Sequence, residues 1–202
     1  VTSPSYIDYF DGALEPDYCA GLIARFEADE HTHPGMVTGA NGQSIINPEF
    51  KKVTELSVSL LPMWADVESY LVENVGKYLG VLKNIHPGLR YLGSEGGTIV
   101  KGNFSNFRMK RYDSDGHFDW HADNVYFAQS CRVLTVQWYL NTVEEGGETE
   151  FAEHGLKVKP VVGRLITFPP VWTHFHRAMP PVSEPKYIMN TWLQFDGTDR
   201  IP

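Results

Sequence analysis

Near residue 90 the apolar residues of this chain change period, and that switch limits the architectures open to it. Before it, Cys19, Leu22, Ile23 and Phe26 take the i, i+3, i+4 and i+7 positions of one helical face behind Pro16. The spacing predicts an amphipathic helix over residues 15–29. Val53, Leu56, Leu60, Trp64, Val67, Leu71, Val75 and Leu79 keep a helical period across 51–80, broken at Pro62, which predicts a kinked helix or two joined ones. Residues 30–48 carry Gly, Pro, Asn and His without period and read as a loop. Beyond residue 90, short β-branched and aromatic runs alternate with turn residues, giving candidate strands at 104–112, 117–122, 132–140, 156–160, 163–168, 172–178 and 186–195. Strands that come after a helical third, with no helices between them, predict an α+β chain: a mainly antiparallel jelly-roll core over about 91–196, buttressed by helices over about 1–90, in one domain spanning 1–202.

Composition removes several functions. The formal charge of −8, with no window rich in Lys and Arg, argues against nucleic acid as a partner. No segment reaches eighteen uninterrupted apolar residues and no basic-then-apolar leader opens the chain, so neither a membrane span nor a signal peptide is expected and the location expected is cytoplasmic. Cys19 and Cys131 stand far apart outside any CxxC spacing, which makes them small buried hydrophobes rather than metal thiolates.

The chemistry-bearing segment is Gly116-His117-Phe118-Asp119-Trp120-His121-Ala122-Asp123. In a strand every second side chain points the same way, so His117, Asp119, His121 and Asp123 are expected on one face. A His and an Asp two apart reach one cation, and a histidine from another strand completes a triad with three coordination positions left open. By itself the tripeptide leaves two HxD pairs, and His174 and His176 are both available as the third ligand.

The residues C-terminal to this segment narrow the choice. Gly146-Gly147-Glu148-Thr149-Glu150-Phe151 is a turn between strands, Gly163–Phe168 a strand, Thr173-His174-Phe175-His176 a source of histidines, and Lys186 stands ten residues beyond His176. With Tyr112, Phe118, Arg132, Tyr139-Leu140-Asn141 and Trp192, this order resembles the 2-oxoglutarate and iron(II)-dependent dioxygenases, in particular their prolyl 4-hydroxylase-like branch, across residues 104–195. The resemblance implies a double-stranded β-helix core and iron held by His121, Asp123 and His176. An aromatic two residues after the glycine and a metal histidine three further on select Phe118 and His121, and the ten-residue distance to the basic residue selects His176 over His174. It further implies that Lys186 meets the far carboxylate of 2-oxoglutarate. Thr135 and Tyr139, an even number of residues apart, are candidate hydroxyl partners for that carboxylate; Tyr112 matches a co-substrate contact and Trp192 a pocket wall. Iron(II), 2-oxoglutarate and O2 are the implied cofactors, and the pattern also allows ascorbate.

The activity so implied is hydroxylation of an unactivated C–H bond, in a prolyl residue of a peptide or protein, or alternatively in a free amino acid or small metabolite. Rivals from other classes are a non-catalytic β-sandwich that binds a metal or ligand and a zinc hydrolase. Arg108, Lys110 and Arg111 read either as a solvated strand face or as a rim for substrate, and 30–48 and 84–103 as candidate substrate covers.

Overall fold

In the computed structural model, which describes residues 5–91, 104–124 and 131–194, strand β1 (Asp8–Phe10) leads into helix α1 (Pro16–Glu27). Pro16 opens the helix, Asp17 lies in its first turn and Arg25 in its last, so proline geometry and the helix dipole both favour these ends. Cys19, Leu22 and Phe26 are buried, as their spacing predicts.

The next stretch departs from the expected loop and helix. Residues 30–57 hold β2 (His33–Pro34), the hairpin β3 (Met36–Thr38) and β4 (Ser44–Ile46), then β5 (Lys51–Lys52) and β6 (Thr54–Ser57). Two 3-10 turns come next, and helix α2 spans only Ala65–Ile85. The apolar period over 51–60 misled because Val53, between β5 and β6, and Leu56 of β6 fill core positions at a spacing that a helix shares over so short a run, while Leu60 is exposed in the first 3-10 turn. Pro62 then opens the second turn instead of kinking a longer helix.

The β portion comprises β7 (Arg108–Tyr112), β8 (His117–His121), β9 (Arg132–Tyr139), β10 (Thr149–Phe151), β11 (Leu156–Val158), β12 (Leu165–Phe168), β13 (His176–Ala178) and β14 (Lys186–Gln194). The pairings among the described strands are antiparallel. A seven-stranded sheet runs β1-β12-β9-β14-β7-β6-β2 and a five-stranded sheet β11-β10-β13-β8-β5. Strand β10 emerges where only a turn was expected, and residues 172–174 form a 3-10 turn ahead of β13.

Strand parity divides the buried residues into two layers. Met109, Val136, Trp138 and Met189 share a core with α1 and α2 residues such as Phe26, Leu71 and Val75. Tyr112, Ile166, Phe168 and Ile188, from the opposite face of the same sheet, pack with Phe151 and Val158 of the smaller sheet. Each fully buried large side chain is worth about 1.5–3 kcal/mol of transfer free energy. Asn74 of α2 stitches the helical layer to the sheet, accepting from Trp138 Nε1 at 3.0 Å and donating to the Ala13 carbonyl at 2.6 Å. Both cysteines are free, Cys19 buried and Cys131 half-buried. No helix among the described residues is long and apolar enough to cross a membrane.

Candidate active site

Between the sheets, His121, Asp123 and His176 bring one ligand atom each to within 4.8 Å of the others. His121 Nε2 is 3.6 Å from Asp123 Oδ1, and His176 Nε2 is 3.9 Å from Asp123 Oδ2. The other nitrogen of each ring is engaged: His121 Nδ1 donates to the Asp119 carbonyl at 2.7 Å and His176 Nδ1 to the His174 carbonyl at 2.9 Å. With Nδ1 protonated, each Nε2 presents a lone pair to the same point.

A bulge produces this convergence. His176 pairs with His121 while Ala178 pairs with Phe118, so two steps along β13 match three along β8. The extra residue changes side-chain parity. Phe118 therefore turns inward beside His121, their ring centroids 3.5 Å apart, and Trp120 stacks on Phe175 instead. The expectation that His117, Asp119, His121 and Asp123 share a face is thus corrected: Asp119 is exposed, and His117 bonds the Asp115 and Glu49 carbonyls. His174 points away from the triad as well, its Nε2 on the Ser5 carbonyl at 2.8 Å, and aids the site through its own carbonyl on His176.

Burial, and then the neighbouring His176, push the His121 imidazole down to about 3, and burial lowers His176 too. Burial works against the Asp123 charge, but the positive charge that His176 and His121 carry when protonated, together with the Thr135 hydroxyl, outweighs it and holds the carboxyl below the usual carboxylate range. Thr135 Oγ1 donates to Asp123 Oδ2 at 2.8 Å and Arg132 Nη1 to the Asp123 carbonyl at 2.8 Å. The Trp192 indole N–H leans toward the carboxylate without reaching hydrogen-bond geometry. Two neutral imidazoles and one ionised carboxylate are the deprotonated set that a divalent metal requires, and a 2-His-1-carboxylate face suits iron(II).

The row of inward side chains is a product of period two. Lys110 and Tyr112 of β7, Thr135 and Gln137 of β9, and Asn190 of β14 line a cavity that reaches the triad, joined by Thr149 of β10. Lys186 is sealed beneath, its Nζ donating to the Gly147 carbonyl at 2.8 Å and lying 4.2 Å from the Tyr112 ring centre. Burial lowers its amine to about 7, with Glu148 opposing the shift. Among the described residues Gly147 is the one acceptor for its three donors, which leaves the ammonium underpaired as a carboxylate site would be. The GGET turn makes this possible: Gly146 and Gly147 have φ of +75° and +74°, and a Cβ on Gly146 would stand 2.5 Å from the Pro180 carbonyl. Tyr139 bonds Thr149 at 2.6 Å and Thr135 bonds Asp123, so neither hydroxyl rests on Lys186.

Sequence reasoning named Lys110 only as strand face or substrate rim and missed Gln137, Thr149 and Asn190, although parity with Thr135 and Trp192 marks the first and third of these. Among the described residues Asn190 Oδ1 is buried without a partner. Parity also splits the basic cluster: Arg108 and Lys110 face inward, whereas Arg111 pairs with Glu27 of α1 at 2.9 Å. Of the candidate covers, β3 and β4 line the cleft above the triad, and 92–103 lie outside the described residues.

Residues 107–194 match the family model described as the 2OG-Fe(II) oxygenase superfamily. The chain is 28% identical over 136 residues to prolyl 4-hydroxylase 2 of Arabidopsis thaliana, covering 51% of this chain and 46% of that protein. It is 29% identical over 118 residues to prolyl 4-hydroxylase 13 of the same plant, covering 45% and 43%. The chain thus spans about half the length of the curated relatives it matches. Among solved structures, a prolyl hydroxylase from Trichoplax adhaerens in complex with a hypoxia inducible factor peptide superposes with a TM-score of 0.72 at 17% identity, over 97% of this chain and 86% of that one. The viral collagen prolyl hydroxylase of Paramecium Bursaria Chlorella virus-1, as its 2OG complex, gives 0.61 at 21% identity over 94% and 96%. At these identities the superpositions show a shared fold.

Proposed function

We propose that this chain, whose residues 107–194 match the model of the 2OG-Fe(II) oxygenase superfamily, is an oxygenase of that kind and hydroxylates an unactivated C–H bond of a prolyl residue in a peptide or protein. The observation that carries the reading is the convergence of two imidazole lone pairs and one ionised carboxylate above a buried, underpaired ammonium group. His121, Asp123 and His176 would hold iron(II), their orientation set by the Asp119 and His174 carbonyls and the Thr135 hydroxyl. Lys186 would meet the far carboxylate of 2-oxoglutarate, with Tyr112 along the pocket and Trp192 on the wall. Iron(II) and 2-oxoglutarate, when bound, supply the activation of O2 that the protein's own groups lack. The chain's part is to hold the open coordination face, to keep water out with Phe118 and Phe168, and to present the target carbon from the cleft under the β3–β4 hairpin.

The prolyl substrate rests on the activities for which the relatives are named, and the peptide on the complex solved for the Trichoplax neighbour. Treating 1–202 as one domain is supported by the core that α1 and α2 share with the large sheet. A zinc hydrolase has no task for a sealed lysine. The test is succinate release by the purified chain with iron(II), 2-oxoglutarate and ascorbate, with and without prolyl peptides. Succinate that rises with peptide and vanishes in Asp123→Ala supports the reading; undiminished release from Asp123→Ala rejects it.

A further inference from the structure

The cleft between the triad and the hairpin carries a charge that the metal centre does not use. Lys51, Arg108, Lys110 and Arg132 all line it, together with Trp192. Against these four basic side chains stands Glu55, which accepts from Lys51 Nζ at 2.6 Å and lies 3.8 Å from Lys110 Nζ. Asp123 also borders the cleft, but its carboxylate belongs to the triad. Among the described residues no carboxylate pairs with Arg108 or Arg132. The two guanidinium groups instead flank Trp192, with Arg132 Cζ 3.7 Å and Arg108 Cζ 5.7 Å from the ring centroid.

Among the described residues Arg108 Nε, sealed from solvent, has no acceptor, while the Trp192 indole N–H leans toward the Asp123 carboxylate. A buried donor left unpaired costs about 1–3 kcal/mol, so a guanidinium that carries one favours an acceptor bound in the cleft. Like charges gathered in a low-dielectric cleft repel one another, and an anion relieves that repulsion. Arg108 is close enough to Lys51 and Lys110 to disfavour the charge on both. Planar guanidinium donors match a carboxylate in shape as well as charge.

We propose that this cleft recognises a carboxylate on the substrate, held by Arg108 and Arg132 beside Trp192 at a short distance from the carbon presented to the triad. That the bound molecule is the substrate rests on the oxygenase reading; that the cleft binds a carboxylate does not. The same chemistry has two sources: the free α-carboxylate of a C-terminal proline or free amino acid, and an acidic side chain next to an internal proline.

Calorimetric titrations of the manganese(II)- and 2-oxoglutarate-loaded chain under nitrogen separate them. The paired probes are N-acetyl-Gly-Pro with its C-terminal amide, and N-acetyl-Glu-Pro-amide with N-acetyl-Gln-Pro-amide. The acid of one pair is expected to bind about tenfold or more tightly than its partner, and that pair identifies the source. Arg108→Gln is expected to abolish the preference and Arg108→Lys to keep part of it. Equal affinity within both pairs, no binding of any probe, or a preference untouched by Arg108→Gln overturns the proposal; the first two outcomes need only the unmodified chain. Succinate release is scored separately, so acid preference without succinate rejects the oxygenase reading alone, and succinate without acid preference rejects the carboxylate site alone.

Discussion

Asp123 keeps its charge in a buried niche because neighbouring groups stabilise the ionised form, and Thr135 is the one hydroxyl among them. Thr135→Val preserves shape and removes that donor. Iron affinity is expected to fall about 10–100-fold, read by metal competition titration; a change under about twofold would take Thr135 out of this role. Lys186 gives a pH dependence. With its amine lowered to about 7 by burial, the free protein is charged there below that pH and increasingly neutral above it. Binding the far carboxylate restores the charge, so 2-oxoglutarate binding should take up a proton at about pH 8 and weaken as pH rises beyond about 7. Titration heats in two buffers of different ionisation enthalpy measure the uptake, and equal heats would mean that Lys186 is already charged. The identities of both groups were implied by the family resemblance, which selects Asp123 from two HxD pairs and assigns Lys186 its role. The task of Thr135 could not be read from the chain, because a hydroxyl on the inner face of β9 suits either Lys186 or Asp123 until the strands are placed.

Among the elements, glycine geometry and one bulge do the positioning. The GGET turn carries the Gly147 carbonyl to Lys186 and Thr149 to Tyr139. Gly146→Ala would press a Cβ against the Pro180 carbonyl at positive φ. A loss of more than about 1 kcal/mol in urea denaturation is expected, along with weaker 2-oxoglutarate binding. Normal stability would mean that the turn relaxes freely. The motif was visible as a turn, but β10 was hidden inside it, since three residues are too few for an alternation to register. The bulge in β8 was invisible for a related reason: it is defined by the partner strand, and HFDWH reads as regular alternation on its own. The helix expected over 51–80 failed at its N-terminal end, where pairing of β6 with β7 and of β5 with β8 overrode a period that fitted a helix equally well.

Across the whole molecule, burying the triad makes the metal-free protein acid-sensitive. His121 sits near 3 in the folded chain against an ordinary imidazole value of 6.5, so between those values the unfolded chain holds the extra proton. Stability therefore rises with pH through that window and is lost as pH falls below about 6.5. The urea midpoint of the metal-free chain should drop between about pH 7.5 and about pH 5.5; an unchanged midpoint would contradict the burial of these rings. The Lys51–Glu55 pair, buried beneath the hairpin, adds a second sensitivity. Glu55→Gln leaves Lys51 and Lys110 without their counter-charge and is expected to cost about 3–5 kcal/mol in the same assay.

The sequence by itself determined the helical third ahead of a β remainder and the succession of two HxD pairs, two later histidines and a lysine, because these depend on residue type and spacing along one chain; the choice among them came from the family resemblance. Only the tertiary structure decided which face each β8 residue shows, what Thr135 bonds, and that four basic side chains share one cleft. Those outcomes depend on which strands become neighbours, and hydrogen-bond register between distant segments leaves no periodic trace within either of them.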